Sequence, residues 1–265
     1  MTRSDLPARD HRSLPDEVPE PGRITLSDLS DALSLGWRDF RRAPAFGLMF
    51  STFYVLGGWV LASVAFAAGQ DWWLIPFVLG FPLIAPFAAT GLYEVSRRIE
   101  AGEALDTARI LRVVFEQRQR QIPSMAMVIL LLFMFWVFVA HTIFALFMGV
   151  SALTNITSSV DVLLQGRGLV MLVLGTIIGG GFAAVLFSFT VVGLPLLMDR
   201  EVDFITAIIT SCRAVAENPG VIAVWAALIA VWLFAAILPG FLGLLIVLPV
   251  LGHASWHIYR RVMAD

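Results

Sequence analysis

A bundle of membrane-crossing helices is the fold class this sequence predicts, and three observations predict it. Of 265 residues, 58% are hydrophobic and only 14% charged, where an ordinary soluble domain has roughly 45–50% and 25%. The apolar residues gather into uncharged runs long enough, at about 1.5 Å per residue, to cross about 30 Å of hydrocarbon or most of it. Arginines follow every second run and so collect on one side, as topology charges do. The class is therefore all-α, a polytopic membrane helix bundle. Disulfide-framework folds drop out, because the single Cys212 allows no internal bridge. A net charge of −2 gives no reason to expect a nucleic-acid partner.

Residues 1–22 carry Pro7, Pro15, Pro19 and Pro21 among Arg, Asp and Glu, with no apolar stretch for a core or a signal peptide; this predicts a disordered cytoplasmic tail. Residues 23–265 form a single membrane domain. Its uncharged runs lie near 45–69, 72–93, 123–149, 168–198, 219–238 and 240–256, which predicts six spans. The second holds Pro76, Pro82 and Pro86, which should kink or unwind it. The fourth is longer than a span needs, so it tilts, kinks at Gly179-Gly180-Gly181 or ends in an interfacial segment. Only Pro239-Gly240 separates the fifth from the sixth.

Three more stretches have amphipathic helical spacing suited to the membrane surface, near 27–42, 106–120 and 203–217. In the first, Leu29, Ala32, Leu33, Gly36, Trp37 and Phe40 share a face, opposite Asp28, Asp31, Arg38, Asp39 and Arg42. In the third, Phe204, Ile205, Ile208, Ile209, Cys212 and Val215 make the stripe. Each can start at an Asp suited to N-capping (Asp28, Asp106, Asp203), and each ends 16 or 17 residues later at Pro44, Pro123 or Pro219. Proline there breaks the surface helix and starts the next one, which turns the chain into the membrane. The hairpin ends rhyme too: PFAATGLYEVSRR from Pro86 and PVLGHASWHIYRR from Pro249 match at the proline, an aromatic residue and an Arg pair. The chain thus reads as three units, each an interfacial helix followed by a membrane hairpin.

All 18 basic residues are arginine, a bias that fits bacterial GC-rich codon usage. Arg167 alone falls on the far side of the six-span scheme; the rest cluster in the tail and first helix, after the second and fourth spans, and at the end of the chain. Both termini are then cytoplasmic, at a bacterial inner membrane. Trp72 and Trp73 fall at the outer interface. Trp37, Phe40, Arg41, Arg42, Arg97, Arg98, Trp256, Tyr259, Arg260 and Arg261 are the expected inner lipid-interface set, with anionic headgroups as partners of the arginines.

Chemistry is sparse. No Asp, Glu or Arg lies mid-span, although coupled transporters usually carry one there despite a cost of about 2.5–3.5 kcal/mol. His253 and His257, at i and i+4, project from one helix face, a spacing that suits metal or haem ligation. They are the candidate cofactor-binding pair; the other reading makes His257 interfacial and has His253 bond a neighbouring helix. His141 lies about 27 Å of helix rise from the inner end of its span and His253 only about 10 Å, so the two share no centre. Gly175, Gly179, Gly180 and Gly181 predict close helix packing, with Gly57-Gly58 as a further small pair. No GxSxG, P-loop, CxxC or HExxH occurs, so no catalytic residue, resident metal or cofactor is assigned.

The opening LSDALSLGWRDFRRAP and the closing GHASWHIYRR, the latter preceded by LPV, resemble the bacterial family DUF2189 of integral membrane proteins, over about residues 23–262. Members are sometimes labelled cytochrome c oxidase subunit I-like. The resemblance implies a six-helix inner-membrane protein without an established activity. The expectation is a non-enzymatic accessory, assembly or structural protein whose partners are the bilayer and other membrane proteins. The alternatives are a small-solute transporter or channel lined by backbone of the second and fourth spans, and a haem or metal redox protein using His253 and His257.

Overall fold

The computed structural model describes residues 18–68, 74–149 and 166–264, and all regular structure among them is helical. The first helix, α1 (Leu26–Arg42), turns by 99° into α2 (Pro44–Ala68) at Ala43. Pro44 opens α2 because a missing N–H costs nothing in a first turn. After α3 (Leu74–Ala101) come α4 (Thr107–Glu116), a single 3-10 turn and α5 (Ile122–Met148). Then follow α6 (Gly166–Thr190), α7 (Gly193–Asp199), α8 (Phe204–Glu217), α9 (Pro219–Ile237) and α10 (Leu244–Val262).

The three expected surface helices are α1, α4 and α8, and prolines again lie at the first turns of α5 and α9. Asp106 accepts the Arg109 N–H at 2.8 Å, and Asp203 accepts those of Ile205 and Thr206 at 3.0 and 2.9 Å, so both cap as their spacing predicts. Asp28 does not. Thr25 takes the N-cap place, and its N–H and hydroxyl both donate to Asp28 Oδ2, at 2.8 and 2.7 Å. Asp28 is the acidic partner three residues into a capping box, a role the Asp-to-Pro spacing could not separate from a cap.

Three helical segments are long and apolar enough to cross a membrane: Ile122–Met148, Gly166–Asp199 and Pro219–Ile237. The bent pair of α1 and α2 raises the number to four if counted as one span, so six is not reached among the described residues. The fourth run does not kink at its glycines. Its helix continues through Gly179-Gly180-Gly181 and breaks at Val191-Val192. Pro195 explains the break, since it has no N–H for the Val191 carbonyl and its ring crowds that oxygen. The freed Val192 N–H donates to Ser211 Oγ at 3.1 Å, and α7 behind the break is buried in the protein rather than interfacial. By contrast α3 runs unbroken through its three prolines. Trp72, Trp73 and residues 150–165 of the expected external loop lie outside the described residues.

The sixth run gives the largest departure. Instead of stopping near 256, α10 extends to Val262 and is the hub of the bundle, packed against α1, α2, α3, α7 and α9. Ala254, Trp256, Ile258 and Tyr259 are all buried. Its most extensive partner is α1, and Gly36 makes that contact possible. A Cβ at Gly36 would stand 2.7 Å from both the Ala254 nitrogen and the Val250 carbonyl oxygen, so only glycine lets the two backbones meet. The expected tail also ends earlier than residue 22. Gly22 N–H donates to the Val262 carbonyl at 2.7 Å, and Asn218 bonds Gly22 O and Ile24 N–H at 3.0 and 2.8 Å; residues 1–17 lie outside the described residues.

Candidate functional site

Where α1, α3 and α10 meet, the structure buries a cluster of ionisable groups. Asp39 is fully buried and its Oδ2 accepts twice, from His257 Nε2 at 2.7 Å and from Ser96 Oγ at 3.0 Å. Ser96 Oγ also lies 2.8 Å from His253 Nδ1. A hydroxyl has one proton; directed to the carboxylate, it leaves His253 to donate from Nδ1 to the serine oxygen. On the other side of His257, Nδ1 faces Glu100 Oε1 at 3.3 Å. Glu100 in turn accepts the Trp256 indole N–H at 3.1 Å and pairs with Arg260 at 3.4 Å.

With a carboxylate at each ring nitrogen, both His257 nitrogens serve as donors, which describes an imidazolium. Burial alone would depress the His257 pKa, but Asp39 and Glu100 outweigh it and hold the group above its ordinary 6.5. Burial likewise acts to raise both carboxyls. The hydrogen bond from His257 does most to overcome it, and Asp39 and Glu100 both end below their ordinary values. A second cluster adjoins: Glu94, 1% exposed, binds Arg97 at 2.7 Å and Arg98 at 2.6 Å through i,i+3 and i,i+4 spacing on α3.

These contacts overturn part of the expected lipid-interface set. Trp256 and Tyr259 lie inside the protein, where the indole meets Glu100 and the phenol donates to Asp199 at 2.7 Å. Phe40 and Arg98 are buried as well, against α2 and on Glu94 respectively. Aromatic and arginine residues at a span end look the same in sequence whether a helix or a lipid faces them. Trp37, Arg41, Arg42, Arg260 and Arg261 are exposed, and Arg97 is half-buried. Arg261 pairs with Asp28 and Asp31 on α1 rather than standing free.

His253 and His257 do share one end of α10, but both rings are bonded to protein groups rather than turned together toward a common centre. Among the described residues no group of three or more His, Cys, Asp or Glu is placed to hold a metal ion. His141 is remote and exposed on α5, its Nδ1 2.8 Å from the Val137 carbonyl. Asp39 is the functional-site residue that sequence reasoning placed wrongly, on the polar face of α1. The available signal was Ala32, Gly36 and Asp39 at i, i+4 and i+7, a close-packing face that carries the carboxylate into the interior.

The glycine expectation holds at one position. Gly179 lies against Trp136, where a Cβ would come within 2.8 Å, whereas Gly175, Gly180 and Gly181 meet open space. Gly58 packs on Phe241 and Gly57 meets nothing. Gly57 borders a partly open hollow of about 530 Å³ between the helices, lined also by Tyr54, Leu186, Leu233, Leu244 and Leu248. A smaller hollow of about 170 Å³ shares Tyr54, Ala89, Leu233 and Leu248 with it and reaches Gly252. Neither is lined by Asp39, His253 or His257.

Comparison with known proteins places this architecture in one context. Residues 74–199, from α3 through α7, match the model of a family described as "Predicted integral membrane protein (DUF2189)". The match is narrower than the expected 23–262, and both motifs that suggested the family lie outside it. Neither the curated proteins nor the solved structures returned a match.

Proposed function

We propose, from the DUF2189 match and the buried polar junction together, that this is a non-enzymatic accessory or structural protein of a bacterial inner membrane. The observation that carries the reading is the junction itself. Asp39 and His257 are buried and bonded to one another, and neither of the two apolar hollows is lined by Asp39 or the histidines, so with Ser96 they fasten α1 and α3 to α10 instead of facing a substrate. Around the bundle, Leu131, Phe135, Phe138, Leu146, Ile177 and Phe234 turn outward, a surface suited to lipid and to helices of other membrane proteins. The same apolar lining argues against polar-solute transport, because the larger hollow offers a solute few hydrogen-bonding groups.

In this reading α2, α3, α5, α6, α9 and α10 give six crossings, arranged as three surface-helix-plus-hairpin units, with both termini in the cytoplasm. Contacts among the Arg-bearing ends support one shared side: Arg120 reaches Glu201, Arg23 reaches Glu217, and Arg260 reaches Glu100 and Asp199. Reporter fusions after residues 70, 160 and 265 test the topology. Cytoplasmic activity is expected only at 265, and a cytoplasmic signal at 160 would overturn the arrangement. Reconstituted liposomes test the role: no flux of ions or small polar solutes above empty vesicles is expected, and a saturable flux would return the protein to the transporters.

A further inference from the structure

We propose that the larger hollow is a binding site for one acyl chain of a bilayer phospholipid. The inference rests on the membrane reading above and goes beyond it by giving the interior an occupant. Side chains of α2, α6, α9 and α10 leave about 530 Å³ between them, partly open to the outside, and whatever surrounds the bundle has access to that space. Water does not suit it. A buried water needs two to four polar partners, whereas the lining is almost wholly leucine, isoleucine, glycine and phenylalanine, and Thr190 spends its hydroxyl on the Leu186 carbonyl at 2.9 Å.

What fits is hydrocarbon, and its amount is set by volume. A hollow of about 530 Å³ falls within the roughly 300–1,000 Å³ of ordinary ligand pockets, room enough for an acyl chain. A second hollow of about 170 Å³ shares Tyr54, Ala89, Leu233 and Leu248 with it and reaches Gly252, so the apolar wall continues along α10. A bilayer surrounding the outward Phe and Leu side chains supplies that chain directly. Gly57 then has a reason to lack a side chain: nothing lies within 4 Å of where its Cβ would be, so helix packing does not require the glycine, while a larger residue would occupy the chain's space.

The test uses the full chain in phosphatidylglycerol vesicles containing a trace of the same lipid with a diazirine midway along one acyl chain. After photolysis the labelled residues are mapped by mass spectrometry. Label is expected on Leu186, Leu233 and Leu244 inside the hollow, as well as on the outward Phe138, Ile177 and Phe234. Gly57→Leu should lower the interior label by about fivefold or more, and Gly180→Leu, whose side chain also meets open space but on an exposed face, should leave it unchanged. Label confined to the outward residues overturns the proposal, as does interior label that Gly57→Leu does not reduce. If that variant fails to fold, the wild-type map decides alone. An isoprenoid diazirine probe that marks the interior where the acyl probe does not would also overturn the assignment. Loss of label from outward and interior residues alike would sink the membrane reading together with this one.

Discussion

The two ends of α10 solve opposite problems. Toward Val262 the helix is wrapped by charge and aromatic rings: Asp39, Glu100 and Ser96 hold its histidines, and Asp199 holds Tyr259. Toward Leu244 it borders a hollow lined by leucine and glycine, with no ionisable side chain other than Tyr54 on its wall. The first region is specified by direction, since each hydrogen bond admits one geometry. The second has only contact and volume to hold it, and so can accept a guest.

Substitutions at the junction should have the largest effect. Asp39→Leu removes a partner from a buried imidazolium and should cost about 3–5 kcal/mol, seen as a large fall in melting temperature of the detergent-solubilised chain. The double variant Asp39→Leu with His257→Leu should recover much of that loss, because an apolar pair leaves no charge stranded. If the double variant is as unstable as the single one, the junction is not an ion-pair fastening. Next comes Gly36→Leu, which pushes α1 off the α10 backbone and should cost about 1–3 kcal/mol, with protease sensitivity increased in α1 ahead of the rest of the chain.

A smaller effect is expected from pH. Asp39 and Glu100 are lowered on folding, so their contribution is complete above their ordinary values, 3.8 and 4.5, and declines as pH falls through the folded values. His257 is raised, so its contribution is complete below 6.5 and is lost as pH rises through its folded pKa. Melting temperature should therefore fall toward acid as Asp39 and Glu100 take up protons and toward alkali as His257 loses its own, and in Asp39→Leu with His257→Leu that dependence should flatten. The least effect belongs to the apolar exterior: Phe138→Leu or Ile177→Leu should shift stability by no more than about 0.5 kcal/mol. A greater loss there would mean that the outward face packs on protein in the purified particle.

Much of the helical layout was legible in the chain. Pro44, Pro123 and Pro219 mark helix starts because a missing N–H is tolerated only in a first turn, and Asp106 and Asp203 cap because their carboxylates reach the next free N–H groups. Such signals act within a few residues, so one chain displays them. The fate of Trp256 and Tyr259 was not legible, because an amphipathic aromatic satisfies a lipid headgroup and a protein carboxylate equally well. Asp39 was misplaced for a related reason. Helical periodicity ranks it with the polar face, and only the partner helix shows that this edge of the face is covered.

The sequence by itself determined the class of the protein and its local punctuation: apolar helices, arginine at their ends, prolines and caps at their starts. These follow from hydrophobic transfer and from backbone hydrogen bonding, both of which act where they are written. The tertiary structure decided which helix became the hub, that Asp39 and Ser96 would meet His253 and His257, and that Gly57 would border empty space. Those outcomes join residues more than 150 positions apart, and a pairing at that range depends on how helices pack against one another, which no single segment encodes.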